Sequence, residues 1–168
     1  MTELSHDPIV LGHVAITLIA ILAGLYVTWS LLVARLPAGA NLVFLLFTFL
    51  TSATGFLIAP ATPAPSPAQL TGAVALAALA VALYALYGRH MAGRWRAVYV
   101  VTAVLGLYLN VFVLVIQAFT KVGALCALMP ACPAPGGPVF AAAQGAVLLV
   151  FLAAGWLAVK RFHPAMAA

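Results

Sequence analysis

The sequence predicts an all-α, polytopic membrane protein: a bundle of five transmembrane helices, with the N-terminus outside and the C-terminus in the cytoplasm. Three observations predict it. First, 67% of the 168 residues are apolar and 5% are charged, whereas a soluble domain carries about 25% charged residues. Second, several apolar runs approach or exceed the ~20 residues that cross a hydrocarbon layer about 30 Å thick. Third, Lys and Arg gather at alternate ends of these runs.

Turn-forming or charged segments separate the five predicted spans, which together form one transmembrane domain, residues 1–168. Arg35 and the turn at 36–39 close the first span. Prolines in 60–67 close the second, because proline opposes helix and favours extended backbone. A basic hairpin at 88–96 follows the third, and a loop rich in Pro and Gly precedes the fifth. The predicted spans are residues 9–34, 41–59, 68–87, 97–120 and 139–159.

The basic residues predict the orientation. If five spans alternate in direction, Lys121 falls on one side and every other Lys and Arg falls on the opposite side. The residues on that opposite side are Arg35, Arg89, Arg94, Arg96, Lys160 and Arg161. The positive-inside rule places them in the cytoplasm, so we expect a multi-pass protein of the bacterial inner membrane. The formal charge of +5 then reflects topology and contact with lipid headgroups, and nucleic-acid binding is not expected.

Small residues are expected to bring the helices together, because lipid gives apolar side chains no reason to prefer the bundle interior. The third span supplies Gly72, Ala73, Ala77, Ala80 and Ala82. The fifth span supplies Ala141, Gly145 and Gly155. Large aromatic residues and leucines are expected to face lipid.

Polar side chains at bilayer depth are the default candidates for function, because burying them in lipid is costly unless they are paired. The candidates are His13, Thr54, Asn110, Gln117 and Gln144. The predicted topology places Asn110 near mid-bilayer and the other four in the outer half, where a pocket could hold a quinone or lipid headgroup. The alternative is that these groups bond to one another or to carbonyls between helices, which is the commoner outcome.

His13 admits several roles: proton acceptor, metal or haem ligand, or hydrogen-bonded packing residue. A haem held by two histidines requires both at similar depth. His6 is expected outside the bilayer, and His90 and His163 on the cytoplasmic side. No metal site is therefore predicted. The sequence requires no cofactor, and a bound quinone or haem remains an alternative.

Cys126 and Cys132 are six residues apart in the predicted outer loop. In an oxidising compartment such a pair can close a small disulfide ring. The alternative is a Cu(I) site formed by the two thiolates with Met129, since soft sulfur ligands favour that ion.

Catalytic groups are scarce. The carboxylates are Glu3 and Asp7, both before the first span, so no acid is available at bilayer depth for proton coupling. The sequence contains no phosphate-binding Gly-rich loop, HExxH or GxSxG motif. A non-enzymatic protein is therefore favoured, and an enzyme activity would have to rest on a cofactor or on His13 alone.

Residues 50–57, 107–113 and 117–119 resemble a group of small, uncharacterised proteobacterial integral membrane proteins. That resemblance implies a membrane location and no particular activity. The leading hypothesis is a non-enzymatic accessory or assembly subunit, whose partners are the lipid bilayer and other membrane subunits. The second is a redox protein that binds a quinone, haem or lipid in the outer polar pocket. The third is a small-solute transporter.

Overall fold

The computed structural model describes residues 8–58 and 66–163, and in that part of the chain every regular element is helical. His6 and most of the proline-rich connector lie outside the described residues. The helices are α1 (Pro8–Leu32), α2 (Ala38–Ile58), α3 (Pro67–Leu83), α4 (Trp95–Lys121), α5 (Gly123–Cys126) and α6 (Pro138–Arg161). A π-helical turn, Tyr84–Gly88, extends α3. The five long helices are each long and apolar enough to cross a membrane, which confirms the predicted multi-pass helical bundle.

Helix α4 is the centre of the bundle. It contacts α1, α2, α3 and α6, while α2 lies between α1 and α3, and α1 also contacts α6. The buried core on one half of α4 includes Val27, Leu31, Phe44, Tyr99 and Leu107. The chain alternates in direction, so the starts of α2, α4 and the ends of α1, α6 share one end of the bundle. We call this the arginine end, because six basic residues flank those helix termini, and the opposite end the lysine end, after Lys121.

Hydrogen bonds between helices fasten the arginine end. The Tyr99 hydroxyl donates to Asn41 Oδ1, joining α4 to α2 among fully buried side chains. The Arg96 guanidinium donates through Nη1 to the carbonyl of Val159, at 2.8 Å, and to that of Phe162. Val159 is in the last turn of α6 and Phe162 is its C-cap residue, where helix carbonyls lack intrahelical partners. The arginine therefore satisfies the end of α6 and holds it against the start of α4.

Tyr99→Phe is expected to lower the free energy of unfolding by about 1–3 kcal/mol, because it leaves the Asn41 carbonyl oxygen buried without a donor. The measurement is SDS-induced unfolding of the purified protein, followed by circular dichroism. Tyr108→Phe is a suitable control, since Tyr108 makes ring contacts with Phe112 and Phe151 while its hydroxyl has no hydrogen-bond partner among the described residues. Equal free energies of unfolding for the two variants would contradict a stabilising role of the Tyr99–Asn41 hydrogen bond.

The small residues of α3 occupy a different face from the one predicted. Ala73, Ala77 and Ala80 are exposed, whereas Ala75 and Ala78 are buried. Gly72 and Ala82 do face the neighbouring helices, as expected. The prediction was wrong for the exposed alanines because α3 is apolar around its whole circumference, so composition alone does not specify which side faces the bundle. The expectation that large aromatic residues and leucines face lipid agrees with the exposure of Leu22, Trp29, Leu57, Leu149 and Trp156, but it was wrong for Leu31, Phe44 and Leu107, which are buried.

Candidate functional site

A cavity of about 620 Å³ lies between α1, α2, α3 and α4 at the lysine end. Its wall is mostly apolar and includes Val14, Leu18, Phe56, Leu109 and Leu114. The polar lining residues are His13, Thr17, Thr51, Ser52, Ser66, Gln69, Thr71, Asn110, Gln117 and Lys121. Ligand sites are commonly concave, apolar in the main, and 300–1,000 Å³ in volume, with a few polar groups that orient the ligand. The cavity has these properties.

His13 joins α1 to α2 at the wall of the cavity. Its Nδ1 lies 2.7 Å from Thr54 Oγ1, and the Thr54 hydroxyl in turn donates to the carbonyl of Leu50 at 2.7 Å. One turn further along α1, the Thr17 hydroxyl donates to the His13 carbonyl at 2.8 Å and pairs with the Thr51 hydroxyl. These polar groups therefore form a ladder between the two helices. The ladder matches the alternative interpretation of interhelical hydrogen bonds, for Thr17, Thr51, Thr54 and one nitrogen of His13.

On α4, polar residues follow one another along the cavity toward the lysine end. Asn110 is buried and donates from Nδ2 to Thr48 Oγ1 at 3.3 Å. Gln117 and Lys121 are exposed, and neither side chain has a hydrogen-bond partner within residues 8–58 and 66–163. Gln117 and Lys121 are thus available to a ligand at the cavity mouth, while Asn110 is partly engaged at its inner end.

Sequence reasoning missed Gln69 on α3. Ser66 caps the helix: its Oγ accepts from Gln69 N at 3.2 Å, and Gln69 Oε1 accepts from Ser66 N at 2.7 Å. This reciprocal pair is a capping box, which a Ser followed three residues later by Gln predicts. Because the carboxamide oxygen is engaged, the Gln69 NH2 group is the part of the side chain left for the cavity.

Gln144, a predicted member of the site, lies elsewhere. It is on α6, which does not line the cavity, and its Nε2 donates to the Phe112 carbonyl at 3.1 Å. Its Oε1 is buried without a partner among the described residues. Gln144 therefore ties α6 to α4 outside the cavity.

The cavity is closed toward the arginine end. Its deepest lining residues are Asn110 and Ala75, and beyond them the core is filled by Phe44, Leu79 and Leu107, each at most 5% exposed. No passage through the described part of the bundle continues from the cavity in this conformation.

The loop between α4 and α6 contains a disulfide between Cys126 and Cys132, whose Cα atoms are 5.4 Å apart. Cys126 and Met129 are buried against Phe119 and, around it, Phe140. The two sulfurs are joined to each other here, so the alternative Cu(I) site would require their reduction first. Within the described residues, no group of three or more His, Cys, Asp or Glu side chains could hold a metal ion.

No protein-family model, no curated protein and no solved structure matches the chain. The class of protein is therefore defined by the fold and the cavity alone: an α-helical, multi-pass membrane protein with a partly polar cavity between four of the five long helices in the described part of the chain.

Proposed function

We propose that this protein is a non-catalytic membrane protein that binds a lipid-soluble ligand of the quinone class, with the ligand headgroup beside His13 and Gln117. The observation that carries the proposal is the cavity itself: about 620 Å³, apolar in most of its wall, with a few polar side chains that include His13 and Gln117. A ligand with a polar ring and an apolar chain matches this combination. The ring would meet His13 and Gln117, and the chain would follow Leu18, Phe56 and Leu114 toward the lipid.

The electrostatics of the cavity favour a neutral or weakly acidic headgroup over a cation. Lys121 lines the mouth, and the sequence carries no carboxylate after Asp7. A cationic headgroup would therefore be repelled by the ammonium of Lys121 without an opposing charge on the helices that form the cavity. Haem is less well supported, because His13 is the single His, Cys or Met residue in the described lining, whereas buried haem iron is generally held by such side chains.

The proposal is tested by extracting the protein from native membranes in mild detergent and identifying bound small molecules by native mass spectrometry. We expect a quinone or a related isoprenoid phenol at up to one molecule per chain. A protein that carries only bulk phospholipid, and that binds no added decylubiquinone or decylubiquinol, would contradict it.

The accessory-subunit hypothesis stays a prediction. It differs from the ligand-binding function in what co-purifies with the protein. A subunit of a larger complex would be recovered with stoichiometric protein partners, whereas a self-sufficient binding protein would retain its ligand when purified alone. The transporter hypothesis is less well supported, because buried Phe44 and Leu107 close the cavity toward the arginine end.

We further propose that the arginine end lies in the cytoplasm of a bacterial inner membrane, with the cavity in the outer leaflet. The support is the positive-inside rule applied to the basic residues at that end. Alkaline phosphatase fused after residue 168 is expected to be inactive, and green fluorescent protein at the same place to be fluorescent. A membrane-impermeant maleimide should label Cys126 and Cys132 in intact spheroplasts only after reduction. An active phosphatase fusion would reverse the orientation.

A further inference from the structure

The hydrogen bonds of Thr54 determine which nitrogen of His13 carries the proton. The Thr54 hydroxyl has one hydrogen, and its Oγ1 lies 2.7 Å from the Leu50 carbonyl and 3.3 Å from that of Thr51. Two oxygens 2.7 Å apart repel each other unless a hydrogen lies between them, and a carbonyl oxygen only accepts, so the Thr54 hydrogen is assigned to the Leu50 carbonyl of its own helix. Toward His13 Nδ1, at 2.7 Å, Thr54 can therefore only accept. A neutral imidazole carries a single N–H, which must then be on Nδ1, and Nε2 is left as an acceptor.

Two other hydroxyls of the cavity direct their hydrogens at carbonyls of their own helices, while the Ser52 hydroxyl on α2 has no hydrogen-bond partner among the described residues. Thr17 donates to the His13 carbonyl and Thr71 to the Pro67 carbonyl, each at 2.8 Å. Donors lie on the other helices of the cavity: the free NH2 group of Gln69, the carboxamide of Gln117 and the ammonium of Lys121. No described residue donates to His13 Nε2. The α1 wall of the cavity thus presents an acceptor, and the α3 and α4 walls present donors.

We propose that the cavity selects the reduced, hydroxyl-bearing form of its ligand, a quinol, over the oxidised quinone. This inference rests on the proposed function. A quinol O–H can donate to His13 Nε2 while another ring oxygen accepts from Gln117 or Lys121. Both carbonyls of a quinone only accept, so a bound quinone leaves Nε2 without a donor. Because a bound ring covers Nε2, and an acceptor covered without a donor is costly, we expect the quinol to bind roughly tenfold more tightly.

The experiment compares two matched ligand pairs by isothermal titration of the purified protein in nanodiscs. The first pair is decylubiquinol and decylubiquinone, kept in their redox states under argon. The second is redox-inert: 4-nonylphenol has a hydroxyl donor, and 4-nonylanisole has a methyl ether in its place. We expect the donor of each pair to bind roughly tenfold more tightly than its partner. Equal affinities within both pairs would overturn the inference.

Two variants locate the preference at His13. His13→Phe removes Nε2 while keeping a ring of similar size, and should reduce the quinol-to-quinone affinity ratio to about one. Thr54→Val removes the acceptor that holds the proton on Nδ1. The proton can then move to Nε2, which improves quinone binding and lowers the same ratio. The control is Thr102→Val, because that hydroxyl donates only to Val98 and Tyr99 carbonyls and lies outside the cavity.

The outcomes separate the inference from the proposed function. If none of the four ligands binds to the wild-type protein, both fail together. If all four bind with equal affinity, the cavity is a binding site and only the preference is overturned. If the preference persists unchanged in a folded His13→Phe variant, His13 is not its source. Should His13→Phe fail to fold, as judged by circular dichroism, the ratio measured with Thr54→Val decides the question.

Discussion

Replacing Gly55 by leucine is expected to reduce the affinity for decylubiquinol at least tenfold, while the helix content is unchanged. Gly55 lines the cavity, and a Cβ at this position would come within 3.7 Å of His13 Cε1 and of no other side chain within 4 Å. The substitution is therefore accommodated by the backbone, but the rest of the leucine side chain must enter the cavity. It fills the space beside His13, where the headgroup is proposed to lie. Isothermal titration with decylubiquinol measures the loss.

The matched control is Gly12→Leu. Gly12 lies one residue before His13 on α1, has nothing within 4 Å of the added Cβ and does not line the cavity. Both variants add the same side chain at the same end of the bundle. Any general effect of an added leucine should therefore appear in both, and only Gly55→Leu should also fill the cavity. Wild-type affinity in Gly55→Leu would show that the ligand binds elsewhere on the protein.

The polar residues of the site could be predicted in large part because hydropathy and the alternating direction of the helices specify the depth of each residue in the bilayer. His13, Asn110 and Gln117 were expected in one pocket, and all three line the observed cavity. Depth alone was enough for them, since α1 and α4 both border the cavity. The contact between Thr54 and His13 could not be predicted from depth alone, because it depends on how α1 and α2 are rotated about their axes.

The position of Gln144 shows that depth in the bilayer does not specify which helices border the cavity. It lies in the same half of the bundle as His13, yet α6 does not border the cavity, and Gln144 bonds to the Phe112 carbonyl instead. The order of helices around α4 is set by packing such as that of Gly155 against Val104, at 3.5 Å for an added Cβ. A sequence with small residues on every side of its helices does not encode that order in an obvious pattern.

In two polar residues of the cavity, one atom makes a structural hydrogen bond and another is left without a partner among the described residues. In His13, Nδ1 belongs to the α1–α2 ladder and Nε2 is left over; in Gln69, Oε1 caps α3 and the NH2 group is left over. The structural bond fixes the orientation of the group that remains. A polar residue in a membrane helix can therefore hold two helices together and still offer one defined hydrogen-bonding atom to a ligand.

Gly24→Ala is expected to destabilise the bundle by about 1–3 kcal/mol, the usual cost of inserting atoms into a well-packed core. A Cβ on Gly24 would lie 2.6 Å from Leu107 Cδ1 and 2.8 Å from two ring atoms of Phe44. Leu107 is 0% exposed and Phe44 is 2% exposed, so neither side chain has free space into which it can move. Helix α1 must then shift away from α2 and α4.

Gly145→Ala makes the same chemical change on α6, where nothing lies within 4 Å of the new Cβ. It is expected to leave stability unchanged or slightly raised, because alanine favours helix over glycine. SDS-induced unfolding of both variants distinguishes close packing at Gly24 from a general effect of glycine. If Gly24→Ala proves as stable as Gly145→Ala, α1 is packed more loosely than the structure indicates. The ligand preference would provide an independent check, because a shift of α1 moves His13 relative to Thr54 and should weaken the selection of quinol.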